Sequence, residues 1–292
     1  MDDNDWLAER FEGHRAHLRA VAYRMLGSLT EADDAVQEAW LRLSRTDTGD
    51  VANLGGWLTT VVGRVCLDML RSRRSRKEEP AGPHLPDPVV GRADGFDPEH
   101  QALLANSVGL ALLVVLDTLD PAERLAFVLH DMFALPYDEI APIVGRSPTA
   151  TRQLASRARR RVQGAPTTPD PDLTRQRAVV DAFFAAARDG DFEGLVAVLD
   201  PEVVLRADGG AMPPGTTRIV RGAAAVAGQA FTFRASGQAG IPEPALVNGA
   251  AGMVVRRDGR PQVVFGFTVV DGRIVEIDIL ADPERVAHLV LE

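Results

Sequence analysis

A chain of 292 residues with an ordinary apolar share is long enough for two or more domains, each burying its own core. Its formal net charge of −9 is spread over both halves, which excludes a generally adhesive nucleic-acid binder but not a local basic patch. The one cysteine, Cys66, excludes an internal disulfide and a cysteine-cluster zinc site, and its apolar helical surroundings predict a small buried thiol.

The opening MDDNDWLAERF is acidic and has no apolar signal core. The most apolar run, Ala102 to Leu116, is interrupted by Asn106 and Ser107 and is too short to span a bilayer. The chain therefore reads as cytoplasmic, with no membrane partner. From Asp5 to about Arg76 apolar residues recur three and four apart, the period of helices. TEADDAVQEAW predicts a helix with Thr30 as N-cap and Asp33 three residues on, close to a capping box. DTGDVANLGG reads as a loop, and Trp57 starts the next helix, which ends in a basic burst. Five of the seven residues from Arg71 to Lys77 are basic. A helix dipole favours cations there, but this density exceeds that need and suits a phosphate backbone, with Trp57 and Asn53 as stacking and polar contacts. Burial is the competing fate for Trp57.

Residues 79–98 are dense in Pro, Gly and Asp and read as a linker. A second helical segment, 99–163, carries the clearest motif. A helix from Pro121 to about Met132 precedes a short one, Tyr137 to Val144. Gly145 then makes a turn, and Ser147-Pro148 caps a further helix running through Arg161. This is a helix-turn-helix, whose second helix enters the major groove. Thr151, Leu154, Ala155 and Ala158 share its inward face. Thr149, Arg152, Gln153 and Ser156 point outward with Arg157 at the flank, a set that suits base edges. Arg159, Arg160 and Arg161 are placed for phosphates. A solvated basic surface helix is the plainer alternative, and the glycine turn, the cap and the basic outer face together decide against it.

A second break, 164–172, leads to a segment of different style, 173–292. Helices over about Leu173–Arg188, Phe192–Leu199 and Ala223–Phe231 accompany period-two strands, with Asp258-Gly259 and Asp271-Gly272 as hairpin turns. The prediction is an α+β domain of several antiparallel strands with helices on one face of a curved sheet. Its acids Asp208 and Asp278 are candidates for a general base. Asp208 reads instead as a turn or docking residue, and Asp278 as a paired or solvent-facing strand residue, so no catalytic residue is assigned. The histidines show no ligand spacing, and neither metal nor cofactor is expected.

DDAVQEAWLRL, then GGWLTTVVGRVCLDMLRSRR, a linker and the helix-turn-helix together resemble a bacterial extracytoplasmic-function sigma factor, from about Phe11 to Val162. The resemblance implies a sigma-two domain (5–78) and a sigma-four domain (99–163), both all-α, with core RNA polymerase and promoter DNA as partners. It implies that Asp33, Asp34, Gln37 and Glu38 face the polymerase clamp helices. It implies further that Asn53 holds a flipped base of the minus-ten element, with Arg64, Arg71, Arg73 and Arg74 on the strand, while the second domain reads the minus-thirty-five element. The extension is similar to a SnoaL-like cone, as in the SigJ-like group of these factors. That group's short motifs recur in altered form. HLPDP (His84 to Pro88) stands for a Trp-Leu-Pro-Glu-Pro type sequence, Asp208, Gly209 and Gly210 continue as Ala211 in place of a third glycine, and ADPERV (Ala281 to Val286) stands for Asn-Pro-Asp-Lys-Leu. Regulatory contacts are thereby implied for Leu85, Pro86, Asp87, Pro88, Asp208, Gly209, Gly210, Asp282 and Pro283, with room for a small-molecule ligand in the cone.

Two other readings compete. A helix-turn-helix repressor or activator with a ligand-binding domain needs neither the acidic DDAVQEAW face nor the basic helix end. A cone-fold isomerase or hydrolase with a DNA-binding appendage lacks a convincing acid/base pair.

Overall fold

The computed structural model describes residues 3–45, 53–75, 84–92, 109–165, 169–210, 216–235 and 240–289. The chain divides into two units, residues 1–79 with 115–165, and residues 80–114 with 166–292. Lys77, the rest of the basic burst from Arg76 and the expected helical residues 99–108 lie outside the described residues.

In the first unit α1 (Asp3–Leu26), α2 (Leu29–Leu43) and α3 (Leu54–Ser75) pack on one another. Phe11, Leu18, Val21 and Met25 of α1, Val36 and Leu43 of α2, and Leu58, Val62 and Cys66 of α3 are buried. The cap of α2 lies two residues before the expected Thr30. The left-handed Gly27 ends α1, so Ser28 is the residue whose hydroxyl accepts from the Glu31 N–H, and Ser28–Glu31 replaces Thr30–Asp33. Helix α3 begins at Leu54 rather than Trp57, because Gly55 and Gly56, which read as loop, form its first turn.

Helix α4 (Leu110–Asp117) begins in the second unit and ends in the first. Helix α5 (Pro121–Phe127) widens into a π turn over Val128–Met132, and α6 (Tyr137–Val144) and α7 (Pro148–Gln163) follow. Gly145 takes φ +69°, and the Ser147 hydroxyl accepts from the Ala150 N–H at 3.2 Å. Removing that acceptor by Ser147→Ala is expected to cost about 1 kcal/mol, read as earlier thermal unfolding of the helix-turn-helix.

The second unit is a seven-stranded sheet in the order β1-β4-β5-β6-β7-β2-β3. Its strands are β1 (Val90–Arg92), β2 (Leu199–Asp208), β3 (Arg218–Arg221), β4 (Ile241–Val247), β5 (Ala250–Arg257), β6 (Arg260–Val270) and β7 (Arg273–Leu280). Asp258-Gly259, Asp271-Gly272 and also Asn248-Gly249 have positive φ at both positions, the geometry of two-residue hairpin turns. The expectation of antiparallel strands needs one correction: β2 runs parallel to β7, from Leu199↔Ile274 to Asp208↔Leu280. Between β2 and β7 the chain passes through β3, the helix Ala223–Ala235 and β4 to β6, long enough for the crossover that a parallel pair requires.

Helices α8 (Leu173–Asp189), α9 (Phe192–Val198) and α10 (Ala223–Ala235) cover one face, burying Val180, Phe183, Leu195 and Val226 against Met253, Phe265, Phe267 and Ile277. Helix α11 (Pro283–His288) ends the described chain. The linker also departs from expectation. Residues 84–92 are folded into this unit, β1 pairing with β4 and Leu85, Val89 and Val90 being buried, because their apolar side chains find the sheet edge.

Candidate nucleic-acid interface and linker dock

The apolar stripe of α2 turns inward and leaves its acids outside. Asp33, Asp34 and Gln37 are exposed and Glu38 half-buried. Asp33 accepts from Arg19 at 2.6 Å and Glu38 pairs with Arg42 one turn on at 3.0 Å. Both are surface pairs that exchange readily with another partner.

Asn53 stands at the start of α3 as its cap. Its Oδ1 accepts from the Gly56 N–H at 3.0 Å and its carbonyl from the Trp57 N–H. Arg64 and Arg71 are exposed along α3. Arg73 is half-buried, pairing with Glu31 and donating to the Leu26 carbonyl at 3.3 Å. Arg74 pairs with Asp120 at the start of α5. Trp57 is half-buried.

On α7, Thr151, Ala155 and Ala158 are buried, whereas Leu154, expected beside them, is only half-buried. Thr149, Arg152, Gln153, Ser156 and Arg157 are exposed. The Arg152 guanidinium lies over the Tyr137 ring, 5.4 Å from its centroid. Arg157 pairs with Glu123 at 2.6 Å and Arg159 with Asp131 at 2.6 Å. An open groove of about 480 Å³ between α3 and the α5/α7 pair is lined by Arg71, Arg74, Asp120, Glu123 and Arg157.

The linker dock is a densely connected polar cluster of the sheet unit. Asp208 ends β2, and its carboxylate accepts from the Leu85 N–H at 2.9 Å, the Gly210 N–H at 3.0 Å and Arg285 at 2.7 Å. Burial alone would raise this carboxyl. Hydrogen bonds from the His84 ring and the two backbone N–H groups, with the Arg285 charge, outweigh burial and hold it at about 2. Arg285 also donates to Asp87, 2.6 Å from Nη2, and to the Leu85 carbonyl. Asp282 caps α11 by accepting from the Glu284 and Arg285 N–H groups, which aims Arg285 at the linker, and Pro283 takes the first helical position. Gly210, at φ +54°, lies against Asp282, whose Oδ2 would be 1.9 Å from an added Cβ. At the far end Asn248 accepts from the Val89 N–H at 3.1 Å. Pro86 and Pro88 are buried between these anchors.

Two family descriptions match this chain: Sigma-70 region 2 over residues 10–76 and Sigma-70, region 4 over residues 109–162. The extracytoplasmic-function RNA polymerase sigma factor SigJ of Mycobacterium tuberculosis is 40% identical over 290 residues, covering 94% of this chain and 91% of that relative. The chain belongs to the extracytoplasmic-function sigma factors. The probable sigma factor SigI of the same species is 40% identical over 206 residues, covering 70% of each chain. The crystal structure of SigJ superposes with a TM-score of 0.76 at 37% identity, covering 95% of this chain and 97% of that one, so the similarity includes the sheet unit.

In this sigma factor the two acids weighed as general bases have other surroundings. Asp208 is locked in the dock. Asp278, expected as paired or solvent-facing, is paired but only 2% exposed, so the solvent-facing alternative is corrected. It shares Arg206 with Glu276, at 3.1 Å and 2.9 Å. Its strand partner is Gly266, while Phe265 and Phe267 face the helices, which puts Asp278 on the opposite face. There Leu110 and Pro169 close over a cavity of about 10 Å³, too small for a substrate. The helix-covered face is filled by Phe183, Phe184, Phe265 and Phe267, which a ligand would have to displace.

The sequence reading missed Arg285 and Asn248. The signal for Asn248 was present as an Asn-Gly turn between apolar runs. Arg285 stands where the SigJ-like motif has lysine, and its planar fork reaches several acceptors that a single ammonium could not serve together.

Proposed function

We propose that this chain binds core RNA polymerase and directs it to specific promoters, and that its sheet unit regulates this in cis by holding the linker. Asp33, Asp34, Gln37 and Glu38 meet the polymerase. Asn53, Arg64, Arg71 and Arg74 engage the opened minus-ten strand, while Arg73 braces the helix that carries them. Thr149, Arg152, Gln153, Ser156 and Arg157 read the minus-thirty-five duplex. The full-length similarity to SigJ carries this reading. The cis role is supported by the dock, since nine linker residues, 84–92, fold into the sheet unit and are withdrawn from the tether between the two DNA-reading segments.

Reversing the exposed charges in Asp34→Arg with Glu38→Arg is expected to lower capture of core polymerase at least tenfold while leaving helical content unchanged, since like charges across an interface cost more than lost pairs. Equal capture by the variant and the parent would refute the placement of the polymerase on this face. No capture by the parent would refute the sigma reading itself.

A further inference from the structure

We infer that Tyr137 sets base preference through Arg152: its ring, held from the π turn by His130, fixes the guanidinium in the pose from which α7 reads one base pair. Tyr137 is thus a positioning residue that lies outside the helix entering the groove. The inference rests on the reading of α7 as that helix and adds what makes one of its contacts selective.

The brace is built from the chain between α5 and α6. The π turn over Val128–Met132 carries His130 and Asp131, and such turns are uncommon and cluster at functional sites. Ala134 follows at φ +56°, a conformation that is costly for a residue with a Cβ. Beyond it the Leu135 carbonyl accepts from the His130 Nδ1–H at 2.8 Å, which fixes the imidazole. The imidazole stacks on Tyr137, with ring centroids 3.8 Å apart and planes 25° apart. Tyr137 is half-buried at the start of α6 and meets two arginines of α7. The Arg152 guanidinium lies over the ring, 5.4 Å from its centroid. Arg159, seven residues on and so on the same helix face, pairs with Asp131 at 2.6 Å. Hydrogen bonds to Asp131 and then to the Tyr137 oxygen raise its pKa above the ordinary value.

Two arginines of the outward set are held by different chemistry. Arg157 spends N–H groups on the Glu123 carboxylate, at 2.6 Å. Arg152 is held by the face of its plane, and among the described residues none accepts a hydrogen bond from it. A ring attracts a guanidinium through that face, while the five N–H donors lie at the edge. The fork therefore stays whole for the O6 and N7 of guanine, which take two bonds from one arginine. Rotamer freedom is also given up before DNA arrives, so less is lost on binding. Preference at one base pair rises without any added contact to DNA.

The test uses the full chain with core RNA polymerase, selecting from duplexes randomised over about ten base pairs, one helical turn. The parent is expected to prefer guanine at one position, and Arg152→Ala to lower that preference at least about tenfold. Tyr137→Leu should lower it about threefold and leave the other positions unchanged. His130→Ala removes the stacked ring but keeps Tyr137, and should act in the same direction by less. Tyr137→Phe keeps the ring and with it the preference. In an Arg152→Ala background, Tyr137→Leu should have no further effect at that position. Parental preference in Tyr137→Leu, a loss that persists without Arg152, or a loss spread evenly over all positions in both Tyr137→Leu and His130→Ala would overturn the inference and leave the sigma reading intact. An Arg152→Ala protein with parental preferences would overturn the base contact itself, and the inference with it. A parent that fails to bind core would overturn the proposed function.

Discussion

Arg285→Ala is expected to free residues 84–92 from the sheet unit. The substitution leaves Asp208 and Asp87 partly or wholly buried with no guanidinium between them, and breaking such a pair from one side costs roughly 3 kcal/mol. That is about a hundredfold in the opening equilibrium of the segment. Hydrogen exchange at the Leu85 and Val89 amides reads it directly, because their acceptors are Asp208 and Asn248. Arg285→Lys should recover only part of the protection, since one ammonium cannot serve Asp87, Asp208 and the Leu85 carbonyl together.

Acidity offers a second handle on the same cluster. Asp208 is held at about 2 in the folded chain, against about 3.9 in an unfolded one. Its contribution is therefore complete above about pH 4 and is lost as pH falls from there through about 2. Protection of the two amides should not change between pH 5 and pH 8 beyond the intrinsic exchange rate. An Arg285→Ala protein with parental protection would mean that backbone pairing of β1 with β4 suffices to hold the linker, and a dock that loosens between pH 5 and pH 8 would mean that a group other than the Asp208 carboxylate controls it. With the dock open, the tether regains nine residues and capture of core polymerase should rise.

How far this architecture was legible depends on the range of the interactions. The turn of the helix-turn-helix and the cap of its second helix could be read to the residue because Gly145, Ser147 and Pro148 act on their own backbone and near neighbours, although that helix runs on to Gln163, beyond the expected Arg161. The Asp-Gly hairpins were legible for the same reason. The start of α3 was not, because Gly55 and Gly56 lower helix propensity and only the Asn53 cap and the packing of Leu58 recover it. The Asn248-Gly249 turn escaped notice between the wholly apolar buried runs 245–247 and 250–255, where alternation gives no cue. The linker dock lay beyond local reasoning altogether. Leu85 meets Asp208 across 123 positions and Asp87 meets Arg285 across 198, and Pro-rich composition says only that such a segment is not helical. The three stretches that carry the motifs shared with the SigJ-like group are the ones that meet in the dock. Which atoms bind there became visible only with the fold.

The buried trio of Arg206, Glu276 and Asp278 leads to an expectation of opposite sign to that for the dock. One guanidinium serves two carboxylates: burial disfavours its charge, and Glu276 and Asp278 more than offset this. Among the described residues Asp278 has no second donor to compensate it. Burial pushes it up to about 6, with Glu276 adding to the rise and Arg206 opposing it. Below about pH 4 the group is protonated folded or unfolded and contributes nothing. As pH rises from about 4 to 6 the unfolded chain releases a proton that the folded chain keeps, so stability falls, and above about 6 the deficit is constant at roughly 2–3 kcal/mol. Asp278→Asn keeps the shape and removes the charge. It should stabilise the sheet unit by about 2 kcal/mol at pH 7.5 and change it little at about pH 3.5, below both titrations, read as the difference between variant and parent in thermal unfolding at each pH. A variant that is less stable than the parent at pH 7.5 would mean that Asp278 stays ionised and that its pairing with Arg206 outweighs the cost of burial. The first outcome would instead identify a carboxylate retained at the expense of stability, on the sheet face where Leu110, at the start of the region 4 match, is seated on Gly266.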